Sequence, residues 1–305
     1  MNRTNSFTSQ KIGILLVIAC GVMWGISGVL GQYIFGASEL TPIQLSILRQ
    51  FGTGVLLLLY SFLKNGKAVF AVFRQGRKFI SLLLFAVVGF MGMQLAYYIS
   101  IDYSNAATGT VIEFTYIIML LLYSAFVLRK MPKNYETIAI LCAFTGIFLI
   151  ATHGNPTSLA ISKEALLWGL TAAVCFTVYC LYPQKLYEEF GLINVLAWGT
   201  FFSSIILAVL TRTFTFPSMS PDIVVSTVGV VLFGTLIPFI LYGIGIGILG
   251  SVKASLFVTV EPVTSAVLAW LCLGTRFTFA DICGFILILG AIEVVSVISF
   301  RCEGV

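Results

Sequence analysis

The chain has 305 residues, 59% of them hydrophobic and only 10% charged, with a formal charge of +5 and a mean hydropathy of +1.05. Soluble domains carry about a quarter charged residues, so this balance excludes an ordinary soluble enzyme or binding module and predicts an all-α membrane protein. The seven cysteines form no C-x-x-C pair, which excludes a zinc or disulfide framework and leaves them as small buried hydrophobes.

Ten apolar segments are predicted as transmembrane helices, at residues 11–35, 41–63, 79–99, 105–128, 134–151, 164–183, 190–211, 221–247, 252–273 and 279–300. Helices of this kind cross a hydrocarbon layer of about 30 Å at ~1.5 Å per residue. Residues 1–10 and 301–305 are left as short tails. In the first segment, "VIAC" at 17–20 resembles a lipoprotein cleavage site, but the apolar run continues past Cys20. It is therefore expected to stay as a helix, since signal h-regions end where they are cut. Trp24 there shares a face with Gly21, Gly28 and Gly31.

The second segment follows Pro42 and carries Arg49, about 10 Å deep at 1.5 Å per residue. Arg49 could bind a substrate carboxylate, snorkel to the interface, or pair with Glu113. Pairing is the expectation, because charges within spans are costly and are normally matched. The third segment places Gln94, Tyr97 and Tyr98 on one face at i, i+3 and i+4. The fourth carries Glu113 on a face with Gly109, Tyr116, Leu120 and Ser124, a pattern that lines a cavity or a close helix contact. Glu113 could also carry a coupling proton.

His153, the single histidine, lies in a loop beside Gly154-Asn155-Pro156. No metal or catalytic role is expected of it, because metal ligands come in clusters. In the eighth segment Tyr242 follows Pro238 by one turn, and "GIGILG" at 245–250 mimics a dinucleotide fingerprint. The preceding strand and the acidic residue about 20 positions on are both missing, so the glycines are read as helix packing. The ninth segment holds Glu261 beside Pro262, followed by Thr264 and Ser265. A proline removes an amide and clashes with the carbonyl four residues back, so a bend that frees a carbonyl near Val258 is predicted. A broken helix suits a polar cavity. The carboxyl itself could be a substrate ligand or a protonated group bonded to a neighbouring helix. Glu293 in the tenth segment is expected to snorkel to the interface.

If the amino terminus is cytoplasmic, thirteen of the seventeen lysines and arginines fall on the cytoplasmic side and three outside, with Arg49 inside a span. The positive-inside rule then puts both termini in the cytoplasm. The net charge is thereby a matter of topology, and no nucleic-acid partner is expected.

The stretch "SNAATGTVIEFTYIIMLLLYSAFVLRKMPKNYETIAILCAFTGIFLI" (104–150) lies over "GSVKASLFVTVEPVTSAVLAWLCLGTRFTFADICGFILILGAI" (250–292) at an offset of 146, with a fainter echo between 19–27 and 172–180. Each half then holds five helices, 11–151 and 164–300. After an odd number of crossings the second copy enters from the opposite face, which gives inverted repeats of the kind that alternating access uses. With the "EPVTSAVLAWLCLG" stretch and "LRQF" (48–51), the chain resembles the EamA family of the drug/metabolite transporter superfamily. The resemblance spans residues 11–300, although Tyr116 stands in the first repeat where the second has Pro262. It implies a ten-helix carrier of small metabolites, often an amino-acid exporter, in a bacterial plasma membrane.

The expected function is secondary transport of a small polar metabolite, an amino acid first, probing a midplane site made from Glu113, Glu261, Gln94, Tyr98, Tyr116, Trp24, Tyr242 and Arg49. Pro238 and Pro262 supply bends. An organic cation is the alternative substrate, given acidic and aromatic groups together. A receptor or membrane-embedded enzyme is a remoter reading, with neither H-E-x-x-H nor G-x-S-x-G present. No cofactor or metal is expected; the coupling ion and a homodimer stay open.

Overall fold

The computed structural model describes residues 3–126, 129, 134–153, 155, 160–249, 254 and 257–303. Helix dominates, and no strand occurs among the described residues. In chain order the helices are α1 (Arg3–Ala37), α2 (Pro42–Asn65), α3 (Gly76–Leu84), α4 (Met93–Asp102), α5 (Ala106–Glu113), α6 (Tyr116–Phe126) and α7 (Asn134–Thr152). The second part contains α8 (Lys163–Leu181), α9 (Gln184–Phe190), α10 (Leu192–Thr211), α11 (Pro221–Val231), α12 (Ile237–Leu249), α13 (Val260–Leu273) and α14 (Phe279–Glu303).

Among the described residues, six helical stretches are long and apolar enough to cross a membrane: Gln10–Ala37, Pro42–Arg74, Gly76–Asp102, Lys163–Leu181, Leu192–Thr211 and Pro221–Leu249. Ala106–Leu120, Thr137–Thr152 and Val260–Leu273 are shorter apolar helices. The outward faces carry exposed Leu63, Phe126, Leu167, Val225 and Phe279, as lipid permits and water does not. Helix occupies most of both ends that the sequence leaves as tails, since α1 begins at Arg3 and α14 runs to Glu303. Parts of the predicted segments 105–128 and 252–273, and Lys253, lie outside the described residues. Cys20, Cys142, Cys175, Cys180, Cys272 and Cys283 are free thiols.

Local signals set several boundaries. Thr41 and Gln44 form a capping box ahead of α2, with Pro42 in the first turn, where its missing amide costs nothing. Two long helices change winding midway: Phe85–Gly92 between α3 and α4, and Leu232–Leu236 between α11 and α12, are π-helical. Such segments leave backbone groups out of the i→i−4 ladder. A third interruption separates α5 from α6 at Phe114–Thr115, correcting the unbroken fourth helix expected from sequence. A fourth lies at Thr259, where a turn precedes α13 and puts Pro262 in its first turn.

Helix α1 packs along α12, α13 and α11, while α8 packs along α4 and α5. Helices α2 and α10 run together, as do α7 and α14. Glycines permit the close approaches. A Cβ on Gly25 would lie 2.9 Å from the Glu261 carbonyl and 2.8 Å from Thr264 Cβ. Gly146 and Gly284 face each other's carbonyl oxygens, each at 2.8 Å from the other's would-be Cβ.

The two ends of the bundle differ. At one end hydrogen bonds cross between early and late helices. Gln32 Nε2 donates to Thr275 Oγ1 at 3.1 Å while its Oε1 accepts from the Ala106 amide at 2.8 Å. Tyr33 donates to Asp222 at 2.8 Å, and Gln44 Nε2 to the Thr215 carbonyl at 3.0 Å. At the same end His153 Nε2 lies 3.0 Å from Asp281. The opposite end carries Lys64, Lys67, Arg74, Arg77, Lys78 and Lys185. There Trp198 Nε1 donates to the Val69 carbonyl at 2.9 Å, and Lys78 meets Glu189 at 2.5 Å.

Candidate substrate site

The helix interruptions gather polar groups at the middle of the bundle. Trp24 and Ser27 from α1, Arg49 from α2, Gln94 and Tyr97 from α4, Glu113 at the end of α5 and Glu261 in the first turn of α13 line one small cavity. Met93, Phe176 and Phe239 complete its wall. Its volume is ≈ 40 Å³, enough for a few waters, which need about 10–15 Å³ each, and far too little for a metabolite. A substrate enters this centre only if helices part.

Arg49 is the best-defined group. It is 4% exposed, and its Nε donates to Thr235 Oγ1 at 2.7 Å. Nη1 donates to the Tyr98 hydroxyl at 2.9 Å and Nη2 to the Gly234 carbonyl at 2.5 Å. The last bond has a sequence cause. An α-helix would pair the Gly234 carbonyl with the amide four residues on, and residue 238 is a proline without one. Pro238 therefore leaves an acceptor in the π-helical segment, and the guanidinium takes it. The expected pairing of Arg49 with Glu113 is corrected: no ion pair of 4 Å or less joins them among the described residues. A guanidinium has five N–H donors, so two remain after these three bonds.

Neither Glu113 nor Glu261 makes a side-chain hydrogen bond to a described residue, although both are only 6% exposed. Gln94 Oε1 and Ser265 Oγ are buried without a partner among the described residues. A buried polar group without a partner costs about 1–3 kcal/mol, so the centre holds a cation and several acceptors whose capacity is unspent. Among the described residues no group of three or more His, Cys, Asp or Glu could hold a metal ion.

The sequence-predicted residues divide between this centre and a second space. Trp24, Gln94, Arg49, Glu113 and Glu261 line the centre, and Tyr98 stands behind Arg49. Tyr116 and Tyr242 instead line a larger cavity of ≈ 560 Å³ toward the basic end, between α6, α8, α10 and α12. Phe239 borders both spaces. Glu293 lies elsewhere, in a lipid-side groove with Pro262, where it accepts a hydrogen bond from Thr259 rather than simply snorkelling. Sequence reasoning missed Ser27, Thr235, Phe176 and Phe239. Thr235 had one usable signal, its position three residues before Pro238.

Known proteins resemble the chain over nearly its whole length. The model of the EamA-like transporter family matches twice, at residues 11–152 and 163–297. The "Uncharacterized inner membrane transporter YicL" of Salmonella typhimurium is 35% identical over 96% of this chain and 98% of its own. The "Uncharacterized transporter YoaV" of Bacillus subtilis is 24% identical over 90% of this chain and 93% of its own. A solved crystal structure 17% identical in sequence matches the fold with a TM-score of 0.64, covering 96% of this chain and 99% of the other. With its helical membrane fold and both stretches matched, the chain belongs to the EamA-like transporter family, within the drug/metabolite transporter superfamily.

Proposed function

We propose that this chain is a multi-pass transporter of a bacterial inner membrane that moves a small zwitterionic metabolite, an amino acid or a relative, outward by alternating access. The carrying observation is the enclosed centre, where an immobilised guanidinium with two donors left and two carboxyls without a hydrogen-bond partner among the described residues face one void. An α-carboxylate suits the remaining Arg49 donors, and an ammonium suits Glu113 and Glu261.

The proposal includes ten helices in two inverted repeats, 11–151 and 164–300, with both termini cytoplasmic. Two features support the repeat. The offset of 146 carries Phe85–Gly92 onto 231–238, which contains the second π-helical segment. It also carries Val69, whose carbonyl accepts from Trp198, onto Thr215, whose carbonyl accepts from Gln44. The basic residues then mark the cytoplasmic end, which is the end with the larger cavity, and the far end is closed by the hydrogen bonds around Gln32 and Tyr33.

A second reading, an organic cation, is favoured by the aromatic wall of Trp24, Phe176 and Phe239 beside the carboxyls. Thermal unfolding of the detergent-purified protein separates the two. Ligand at 100 times its Kd adds about 2.7 kcal/mol to the folded state. Stabilisation by amino acids, lost in both Arg49→Leu and Glu261→Gln, supports the zwitterion. Stabilisation by quaternary amines alone, lost in Glu261→Gln, selects the cation. No response to either class, with no uptake into proteoliposomes, rejects both.

A further inference from the structure

The larger cavity contrasts with the centre in chemistry as well as size. Its ≈ 560 Å³ lies within the range of small-molecule pockets, about 300–1,000 Å³. Tyr116, Tyr179, Tyr187, Tyr242 and Phe239 line it together with Leu192 and Leu196 from α10, and no described lining residue is charged. The rings are held in fixed mutual geometry. Tyr116 stacks on Phe176 with centroids 4.2 Å apart, and Phe239 lies 5.7 Å from Tyr179. The Tyr116 and Tyr242 hydroxyls make no hydrogen bond to a described residue, so both are free to act as donor or acceptor. An ion placed here would lose hydration with no counter-charge, at a high cost. A flat uncharged ring would instead find edges and faces to pack against at 4.5–7 Å between centroids, as aromatic pairs prefer.

We propose that this cavity is a binding site for an uncharged aromatic group, distinct from the polar centre. The ring belongs either to a free compound or to a transported molecule whose charged head reaches the centre past Phe239. The site stands whether or not the transport reading holds.

Gly247 offers a direct test, because it lines the cavity and a Cβ built there meets nothing within 4 Å. Gly247→Leu adds bulk at the cavity wall from a position where the new Cβ meets nothing, and it replaces a poor helix former with a good one. Binding of radiolabelled indole, tryptophan and glycine would be measured on the full-length detergent-purified protein by scintillation proximity. Indole should bind the wild type saturably. Gly247→Leu and the cavity-opening Tyr116→Ala should each weaken it by about tenfold, or 1.4 kcal/mol, while Glu261→Gln leaves it unchanged. A parallel loss for tryptophan assigns the ring to a transported molecule; a loss for indole alone assigns it to a free compound. Indole binding that is absent in the wild type, or equal in Gly247→Leu, overturns the site. Glycine binding that is absent throughout counts against the zwitterion reading and leaves this one intact.

Discussion

Helix α1 and the helices that face it solve opposite problems. The first runs unbroken over 35 residues and meets its neighbours through glycines. The helices around it are interrupted at Phe85–Gly92, Phe114–Thr115, Leu232–Leu236 and Thr259. Each interruption sits beside a polar residue of the centre or one that holds it: Gln94, Glu113, Thr235 and Glu261. The difference teaches that the smooth wall supplies position, while the broken walls supply chemistry, because only irregular backbone can offer carbonyls and aim carboxyls inward at membrane depth.

Disturbing the smooth wall should have the largest effect. In Gly25→Leu the new side chain meets the Glu261 backbone, which cannot yield as a side-chain tip would. Overpacking costs about 1–3 kcal/mol, occasionally more, and we expect poor folding yield by fluorescence-detected size exclusion with no ligand response in what remains. Wild-type yield and binding would mean that α1 can slide, and the contrast would fail.

Arg49→Ala comes next. It strands the Gly234 carbonyl, Thr235 and Tyr98 together, and hydrogen bonds to charged groups are worth about 1.5–3 kcal/mol each. Ligand binding should be lost, the apparent melting temperature should fall by several degrees, and Arg49→Lys should recover little, because an ammonium lacks the planar fork. Pro238→Ala is subtler. It restores an amide that competes with Arg49 for the Gly234 carbonyl, so affinity should fall about three- to tenfold while thermal stability holds or rises. Unchanged affinity would show that the guanidinium needs no broken helix.

Gln32→Leu removes the two bonds that tie α1 to Thr275 and to the first turn of α5. At about 1 kcal/mol per net hydrogen bond, labelling of a cysteine introduced near the centre, by a reagent added from that side, should speed up several-fold. The smallest effect concerns Lys78 and Glu189. The hydrogen bonds from Lys78 and Gln75 hold the Glu189 carboxyl below its ordinary range. Its contribution is therefore complete above the usual carboxylate range and is lost as pH falls through the lowered value. The pair is exposed, so Glu189→Gln should move the melting temperature by a degree or less at neutral pH, and salt should erase the change.

The site was legible in sequence where polarity is rare. Arg49, Glu113 and Glu261 announced themselves by being ionisable within apolar runs, and Trp24 and Gln94 by sharing faces with small or polar neighbours. What stayed hidden follows from the same physics. The break after Glu113 has no proline to mark it, because a helix end enclosed by protein can be set by packing. Thr235 and Ser27 are small hydroxyl residues of a kind common in spans, where most bond their own helix as Thr200 and Thr211 do here. Phe176 and Phe239 were two among 26 phenylalanines, and only folding selects which of those rings border a void. Arg49 was found, but its partners were not. Sequence favoured a carboxylate for it, and the chain supplied a carbonyl that Pro238 had left behind.

The length of α1 reaches beyond the protein itself. Its apolar stretch, Gln10–Ala37, has 28 residues, roughly 42 Å at ~1.5 Å per residue, against a hydrocarbon layer of about 30 Å. Helix α13, packed beside it, has 14 residues, roughly 21 Å by the same rise. The first exceeds the hydrocarbon layer while α13 covers only part of it beyond the Thr259 turn, so tilting to hide the first pulls on the second. Bilayer thickness thereby becomes a variable acting on the Glu261 turn, and a lipid series of increasing acyl length should tune ligand binding at the centre without touching a single side chain.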